Sequence, residues 1–294
     1  MRLWPDKHPR RSQLFMPADK PHMVRNAVGS DADCIILDLE DAVAEDSKDN
    51  ARATLLAILD NTDFGNKEVI VRINGATTPH YQKDVDAIKN HPKVNAILLP
   101  KVEKSEQISD LHLAAPKKDL WLLFESAKGV LDMRTILERN THAGIKALCF
   151  GNNDFSEEMG LSSSHEMNHA RSKVILAARA HGLMVFDGPS QRLIDNQDPA
   201  ASQELQQQSQ HAFDLGFDGK MAIHPQQVKY VNRAFTPSEK AVKRAERIVE
   251  AHDGTQGAIR VDGEMVEALH VRQAQELLEI NKAIKSKAKS VELA

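Results

Sequence analysis

The stretch Cys34–Leu39 reads Cys-Ile-Ile-Leu-Asp-Leu, so four apolar residues stand in a row before the first carboxylate. A continuously apolar run of this length is typical of a strand that is buried on both faces, as the strands of parallel sheets are. Helical spacing follows from residue 47 to residue 59, with apolar side chains on one face at Ala51, Leu55, Ile58 and Leu59. The stretch therefore predicts a parallel strand followed by a helix.

The same unit recurs along the chain. Counting short apolar runs gives Gln13–Met16, Cys34–Leu39, Val69–Ile73, Ala96–Leu99, Leu120–Phe124, Ala147–Phe150, Met184–Phe186 and Met221–Ile223. Helix-length segments separate these runs, and the one from residue 164 to 181 places Val174, Ala177 and Ala178 on one face. Eight strand–helix repeats favour an α/β fold of the (β/α)₈ TIM-barrel type over an open sheet.

The pattern changes after the eighth run. The segment Thr236-Pro-Ser-Glu239 predicts a helix start, with Thr236 as N-cap, proline in the first turn and a glutamate that completes a capping box. A glycine-containing segment, Gly254–Gly263, is expected to form a loop or hairpin before a second helix from about Met265. We therefore predict a barrel domain over residues 1–235 and a C-terminal helical extension over residues 236–294.

Composition excludes several classes of partner. The formal net charge is −4 and the one basic block is the tail Lys282–Lys289, so nucleic acid is not an expected partner. No apolar run approaches the length of a membrane span, and the N-terminus lacks the apolar core of a signal peptide. Cys34 and Cys149 lie far apart in apolar runs and are expected to be buried, reduced thiols. A cytoplasmic location is the resulting prediction.

Polar side chains follow nearly every apolar run. In chain order, the residues after the runs are Pro17, Asp38 to Asp41, Arg72 with Asn74, Pro100 with Lys101, Glu125, Gly151 to Asp154, Asp187 with Gly188, and His224 with Pro225. The carboxyl ends of barrel strands converge on one mouth, where active sites lie. Carboxylates, an arginine and a lysine would then face a common space, which indicates a metal or a charged ligand.

Glu125 and Asp154 follow the fifth and sixth runs, which would be neighbours in a barrel. Mg²⁺ is typically held by one or two carboxylates, while water and substrate oxygens complete its shell. Zinc would require nitrogen or sulfur ligands at closer spacing. We therefore predict a Mg²⁺ site at Glu125 and Asp154; the alternative is that Glu125 pairs with Arg72 or Lys101 and binds no metal.

These blocks resemble a known family. They are Arg11-Ser12 before Leu14–Pro17, Leu37–Val43 (Leu-Asp-Leu-Glu-Asp-Ala-Val) followed by Lys48 and Arg52, Val71–Asn74, Leu99–Lys101, Glu125–Val130 (Glu-Ser-Ala-Lys-Gly-Val), Phe150-Gly151 with Asp154, and Ala222–Pro225. Together they are similar to the citrate lyase β-subunit-like family, within the wider superfamily of metal-dependent aldolases and CoA-ester lyases. The resemblance runs in order from about residue 10 to about residue 272.

The resemblance implies a set of roles. It implies a barrel with a C-terminal helical extension, a homo-oligomer that is often a trimer, and Mg²⁺ held by Glu125 and Asp154. It also implies that Arg72 contacts the substrate and its thioester oxygen. The implied substrate-binding set is Arg72, Glu125, Gly151, Asn152 and Asn153. Four further residues are expected to support the metal-bound waters or Arg72 rather than to act directly in catalysis: Asp38, Glu40, Asp41 and Lys101.

One segment departs from the family pattern. Gly263–Val271 resembles the motif Gly-x-Met-Ile-Asp-x-Pro-His-Val, in which related lyases carry a catalytic aspartate delivered by a neighbouring subunit. Here Glu267 stands at the aspartate position and Leu269 at the proline. Glu267 is the candidate catalytic acid or base, although a displacement of about 1 Å can lower a rate on the order of a hundredfold. The alternative is a helix-start glutamate favoured by the helix dipole.

The function that the resemblance implies is Mg²⁺-dependent retro-Claisen cleavage, or formation, of a small β-hydroxyacyl-CoA such as malyl-CoA or citramalyl-CoA. A permanently cationic arginine at position 72 suits the developing enolate oxygen. The alternatives are a malyl-type thioesterase, an aldolase on free hydroxy acids, and a non-catalytic barrel subunit. Acyl-CoA or a keto acid is the expected partner, and Arg10, Arg11, Lys20 and Arg25 could contact the CoA phosphates or a carrier's phosphopantetheine, or form a solvated surface.

Overall fold

The computed structural model describes residues 8–161, 167–195, 198–252 and 258–292, the side chains of the last five excepted. Eight parallel strands close into a barrel in sequence order, and at least one helix follows each strand along the chain. The strands are β1 (Ser12–Pro17), β2 (Cys34–Asp38), β3 (Glu68–Arg72), β4 (Ala96–Leu99), β5 (Asp119–Phe124), β6 (Ile145–Phe150), β7 (Met184–Asp187) and β8 (Gly219–Ala222). The predicted TIM barrel and its eight runs are confirmed.

Helices cover the outside of this barrel. They are α1 (Pro21–Val28), α2 (Lys48–Asn61) after a short 3₁₀ turn (Glu45–Ser47), α3 (Tyr81–Ile88), α4 (Ser105–Ala114), α5 (Ala127–Glu138), α6 (Asn152–Glu158), α7 (Asn168–Ala180), α8 (Pro199–Leu215) and α9 (Pro225–Ala234). The face predicted for α2 is buried as expected. In the helix predicted from residue 164, the described part begins at Asn168, and residues 164–166 lie outside the described residues.

Alternation along the strands divides the apolar side chains into two layers. In β2, Cys34 and Ile36 belong to the cluster inside the barrel, whereas Ile35 and Leu37 belong to the layer between strands and helices. Inside the barrel the rings of Trp121 and Phe186 lie 4.8 Å apart between centroids. Both cysteines are buried and free, as predicted.

The chain after the barrel forms α10 (Glu239–His252), a hairpin of β9 (Ile259–Val261) and β10 (Glu264–Val266), and α11 (Ala268–Glu292). The predicted N-cap was wrong, because the Ser238 hydroxyl accepts from the Ala241 amide, whereas Thr236 donates to the Asn232 carbonyl. Met265, the expected helix start, lies in β10.

Helix α11 closes the amino-terminal end of the barrel. Ile280 packs into the cluster inside the barrel, and the Lys287 ammonium lies 2.8 Å from the carboxylate of Asp33, just before β2. The opposite end, where the strands finish, is left as the mouth. No described helix is long and apolar enough to cross a membrane. The division into two domains at residue 235 stays a prediction, as does the cytoplasmic location.

We predict that Ile280→Ala lowers the free energy of unfolding by about 2–4 kcal/mol, because it removes a buried side chain from the barrel interior. Leu269→Ala on the same helix is the control, since Leu269 is 48% exposed. Urea denaturation of both variants measures the difference. Equal, small losses would show that α11 does not close the barrel.

Candidate active site

The side chains at the mouth are set by the two-residue repeat of the strands. Asp38 continues the inward series Cys34 and Ile36 of β2, and Arg72 and Glu125 continue the same series in β3 and β5. These three residues occupy the last inward-facing position of their strands. Their charged side chains therefore lie above the apolar interior of the barrel. The structure therefore brings Asp38, Arg72 and Glu125 together at the mouth, as the strand ends predicted.

Arg72 is fixed by three carboxylates and an aromatic ring. Its Nε and Nη2 donate to the two oxygens of Asp38 at 2.8 and 2.6 Å. Its Nη1 lies 3.0 Å from Glu40 and 3.6 Å from Asp41. The guanidinium carbon stands 4.9 Å from the centre of the Phe15 ring. Burial lowers the pKa of Arg72, but Asp38 and Glu40 outweigh it and the pKa is raised, so the group stays cationic.

Lys101 links the same carboxylates to Glu125. Its ammonium lies 2.9 Å from Glu40 and 3.7 Å from Asp41. Its φ of 53° lies in the left-handed region, which a lysine adopts at a cost of about 1–3 kcal/mol. That backbone directs the Lys101 amide to donate to the Glu125 Oε1 at 2.8 Å. The support expected of Lys101 therefore comes partly from its main chain.

Glu125 is a buried carboxylate without a cationic partner. It is 5% exposed, and within the described ranges it forms no ion pair, so the alternative pairing with Arg72 or Lys101 is not found. Burial, together with the charges of Glu40 and Asp154, raises its pKa to about 8, although Arg72 and the Lys101 amide lower it. A group that is this costly to ionise calls for positive charge from outside the chain.

Asp154 lies in the first turn of α6, and its carboxylate shares the wall of the mouth with Glu125. Its pKa is raised by burial and by Asp41. A Cβ added at Gly151 would lie 2.6 Å from Glu125 Oε2, so only glycine lets α6 approach this closely. Asn152 and Asn153 line the same space.

The donor set fits a hard divalent cation. Among the described residues no group of three or more His, Cys, Asp or Glu side chains could hold a metal. Two carboxylates fit an ion such as Mg²⁺, which keeps water and substrate oxygens in its shell, and they do not fit a closed zinc site. Glu125 and Asp154 are therefore the residues that could hold such an ion.

Two adjoining cavities meet at these carboxylates. One, of about 330 Å³, contains Asp38, Asp41, Arg72 and the segment 151–154. The other, of about 470 Å³, lies towards Glu40 and Lys101, and both are lined by Glu125 and Asp154. The smaller cavity has an apolar side that the sequence analysis missed, formed by Phe15, Pro17, Met23, Leu123, Met221 and Ile223.

Some strand-end residues do not reach the mouth. Asp187 faces the helices, where Arg171 and Lys220 lie 2.9 and 2.7 Å from its carboxylate. Asn74 donates to Asp84 at 2.6 Å. His224 caps α9 and lines neither cavity. The expectation that the strand-end residues face a common space is therefore wrong for these three positions.

Glu267 also lies outside both cavities within the chain. It is exposed beside the start of α11, where its amide donates to the His270 Nδ1 at 3.0 Å. Glu267 could therefore contact a mouth only if that mouth belonged to another copy of the chain. The catalytic role expected of Glu267 stays a prediction.

The four basic residues proposed to meet CoA phosphates do not form one cluster. Arg10 pairs with Glu68 and Arg11 with Asp33, at the closed end of the barrel. Lys20 and Arg25 follow β1 at the mouth, about 20 Å away at the usual rise of a strand. Arg10 and Arg11 are therefore structural, and the hypothesis was wrong for them.

Two larger cavities lie away from the mouth. One of about 840 Å³ adjoins α11 and the ion-paired closed end, and one of about 640 Å³ lies between α8, α9 and the C-terminal helices. Neither cavity is lined by converging carboxylates with raised pKa values, as the mouth is. Chemistry rather than volume thus identifies the candidate active site.

Comparison with known proteins agrees with this geometry. The sequence pattern of the HpcH/HpaI aldolase/citrate lyase family matches residues 11–225. The chain belongs to this family. The match spans all eight strands and every charged residue of the mouth, and it confirms the resemblance inferred from the sequence blocks.

Several named proteins are similar to this chain over nearly its whole length. A (3S)-malyl-CoA thioesterase of Cereibacter sphaeroides is 36% identical, covering 94% of this chain and 96% of the relative. The mitochondrial citramalyl-CoA lyase of Homo sapiens is 30% identical, covering 95% and 87%. The CitE protein of Mycobacterium tuberculosis, solved with magnesium, acetoacetate and coenzyme A, has a TM-score of 0.79 and 30% identity, covering 94% and 99%.

We predict that the stability of the protein falls as pH rises from about 5 to about 8 when divalent cations are chelated. Folded Glu125 has a pKa of about 8 against 4.5 ordinarily, so in this window the folded state holds a proton that the unfolded chain has released. Glu125→Gln should reduce that slope, measured by urea unfolding in EDTA, while Glu40 and Asp154, whose pKa values are also raised, keep part of it. Glu106→Gln, at an exposed position, is the control and should keep it.

A slope that is unchanged in Glu125→Gln would contradict the buried, unpaired state of this carboxylate. The same titration with excess divalent cation should flatten the wild-type slope, because a bound cation takes the place of the proton.

Proposed function

We propose that this chain is a Mg²⁺-dependent enzyme that cleaves or forms a carbon–carbon bond in a small β-hydroxyacyl-CoA such as malyl-CoA or citramalyl-CoA. The observation that carries the proposal is the sharing of one cavity by Arg72, Glu125 and Asp154. A fixed cation and an unpaired pair of carboxylates then face the same substrate. Relatives that act on CoA thioesters or bind magnesium support it.

Glu125 and Asp154 would hold the magnesium. The ion would supply positive charge to the hydroxyl and carboxylate oxygens of the substrate. Gly151 keeps the two carboxylates close together, and the Lys101 amide fixes one oxygen of Glu125. The charge that burial makes costly in the free protein would be balanced in this arrangement.

Arg72 would bind the thioester oxygen. Cleavage moves negative charge onto that oxygen, and a guanidinium held by Asp38 requires no rearrangement as the charge develops. Asp38 accepts from two of its five N–H groups and Glu40 lies 3.0 Å from Nη1, so the guanidinium, which lines the cavity, would keep N–H groups for a substrate oxygen. The proton required by the resulting carbon would come from Glu267 of a neighbouring copy.

A thioesterase is the second candidate. Relatives at 36% identity are (3S)-malyl-CoA thioesterases, and the replacement of the family aspartate by Glu267 alters the group that a lyase would use to protonate carbon. The same charges would serve hydrolysis, in which water attacks the thioester. Action on free hydroxy acids remains a weaker alternative, and a non-catalytic role does not fit the intact carboxylate pair.

The deciding experiment supplies malyl-CoA and citramalyl-CoA to the purified protein, with Mg²⁺ or with EDTA, and identifies the products by mass. We expect acetyl-CoA and a keto acid, formed with Mg²⁺ alone. Free CoA with the intact hydroxy acid would establish the thioesterase instead. No turnover of either thioester would show that the proposal is wrong.

We predict that Arg72→Lys lowers kcat/KM about 10²–10³-fold, because an ammonium cannot hold Asp38 with two parallel bonds while facing an oxyanion. Arg134→Lys is the matched control, since the Arg134 side chain is 85% exposed. Near-normal kcat/KM in Arg72→Lys would exclude the proposed contact with the thioester oxygen.

We predict that Glu125→Gln and Glu267→Gln are each inactive but recover activity when they are co-assembled. A mouth from one copy and a Glu267 from another would then combine in the same oligomer. Turnover of the separate and co-expressed proteins measures this. Full activity of Glu267→Gln alone would remove Glu267 from the mechanism.

A further inference from the structure

The loop at residues 188–192, which follows β7, is held in place through its carbonyl oxygens. The buried Lys220 ammonium donates to the Gly188 carbonyl. The Asn152 amide donates to the Pro189 carbonyl at 3.0 Å. Gly188 itself is required, because a Cβ there would collide with the Asn152 side chain. Side chains from other elements thus determine the path of this loop.

Gln227 supplies the other contacts. Its Nε2 donates to the carbonyls of Ser190 at 3.0 Å and Arg192 at 3.1 Å. Its Oε1 accepts from the amides of Ile223 at 2.9 Å and His224 at 3.3 Å. The side chain is 1% exposed and uses both donors and its acceptor. One buried amide therefore joins the loop after β7 to the end of β8.

Gln191 is the residue that this loop presents. It lines the smaller cavity together with Pro189, and its side chain is exposed. It makes no hydrogen bond to any residue that the structure describes. The loop is thus firmly held on both sides of Gln191, while the Gln191 amide is left available to a ligand.

The cavity has two chemically different sides. The charged groups come from β2, β3, β5 and the start of α6, whereas β1, β8 and the loop after β7 contribute Phe15, Pro17, Met221, Ile223, Pro189 and Gln191. An uncharged amide among apolar side chains suits a neutral chain that carries amide groups. Carboxylate and alkoxide oxygens suit the charged side instead.

We propose that Gln191 contacts the neutral, amide-bearing arm of the acyl thioester, and that Gln227 is the positioning residue that holds Gln191 there. The inference rests on the proposed function. It assigns the loop after β7 to recognition of the thioester arm, while the keto-acid part lies with Arg72, Glu125 and Asp154.

The test compares Gln191→Ala, Gln227→Glu, the double variant and Gln226→Glu. We expect Gln191→Ala to raise KM for the acyl-CoA about fivefold to tenfold, the effect of one hydrogen bond, with a smaller change in kcat. In Gln227→Glu a carboxylate oxygen would face the Ser190 and Arg192 carbonyls and displace the loop. Gln226→Glu makes the same change at the exposed neighbour and should leave KM unaltered.

The double variant separates positioning from general destabilisation. If Gln227 acts through Gln191, adding Gln191→Ala to Gln227→Glu should raise KM no further, whatever the two substitutions do to the melting temperature. The affinity for pyruvate or glyoxylate with Mg²⁺, measured by calorimetry, should change less than twofold in Gln191→Ala. Should Gln227→Glu fail to fold, Gln227→Asn keeps the amide but shortens it and takes its place.

Unchanged KM in Gln191→Ala, additive KM effects in the double variant, or an equal loss of keto-acid affinity would each overturn the inference. Turnover by the wild-type protein distinguishes this from failure of the proposed function. If the wild type acts on no thioester, both are wrong; if it is active and Gln191→Ala matches it, the inference alone is wrong.

Discussion

The burial of Glu125 without a cation is the constraint on which the mouth of the barrel depends. Arg72, a permanent cation that lines the same cavity, is held by Asp38 and shared with Glu40. It therefore lowers the pKa of Glu125 too little to offset burial and the neighbouring Asp154. The buried carboxylates lack the positive charge that would stabilise their ionised forms, and a divalent cation can supply it. The protein tolerates this unfavourable burial because the rest of the barrel is well packed.

The barrel could be predicted because its strands carry a simple physical signal. Runs such as Cys34–Leu39 must be apolar on both faces when helices cover one side and the packed interior the other. The start of α10 was less predictable, since Thr236 and Ser238 both suit a cap. Thr236 instead accepts from the Arg11 guanidinium, a contact between residues far apart in sequence.

The charged part of the site followed from the same alternation, and so did its exceptions. Glu125 keeps the inward series of β5, whereas Asp187 falls on the outward series of β7 and is neutralised by Arg171 and Lys220. Following the alternation of inward and outward residues to the end of each strand would have distinguished Glu125 from Asp187. Phe15 and Gln191 gave no such signal, because their part in the cavity depends on the closure of the barrel and on the loop that follows β7.

The two candidate reactions use the same charges and differ in what reaches the thioester carbon. A lyase must exclude water from that carbon while the carbon–carbon bond breaks, and a hydrolase must admit one water. The cavity lined by Thr77, Thr78 and Ser126 also contains Glu125 and Asp154, whereas Gln191 lines the smaller cavity and not this one. Water in that space would stand close to the carboxylates, whereas protein from a neighbouring copy would exclude it. We expect the reaction to depend partly on how this second cavity is filled, since Arg72, Glu125 and Asp154 would serve both reactions.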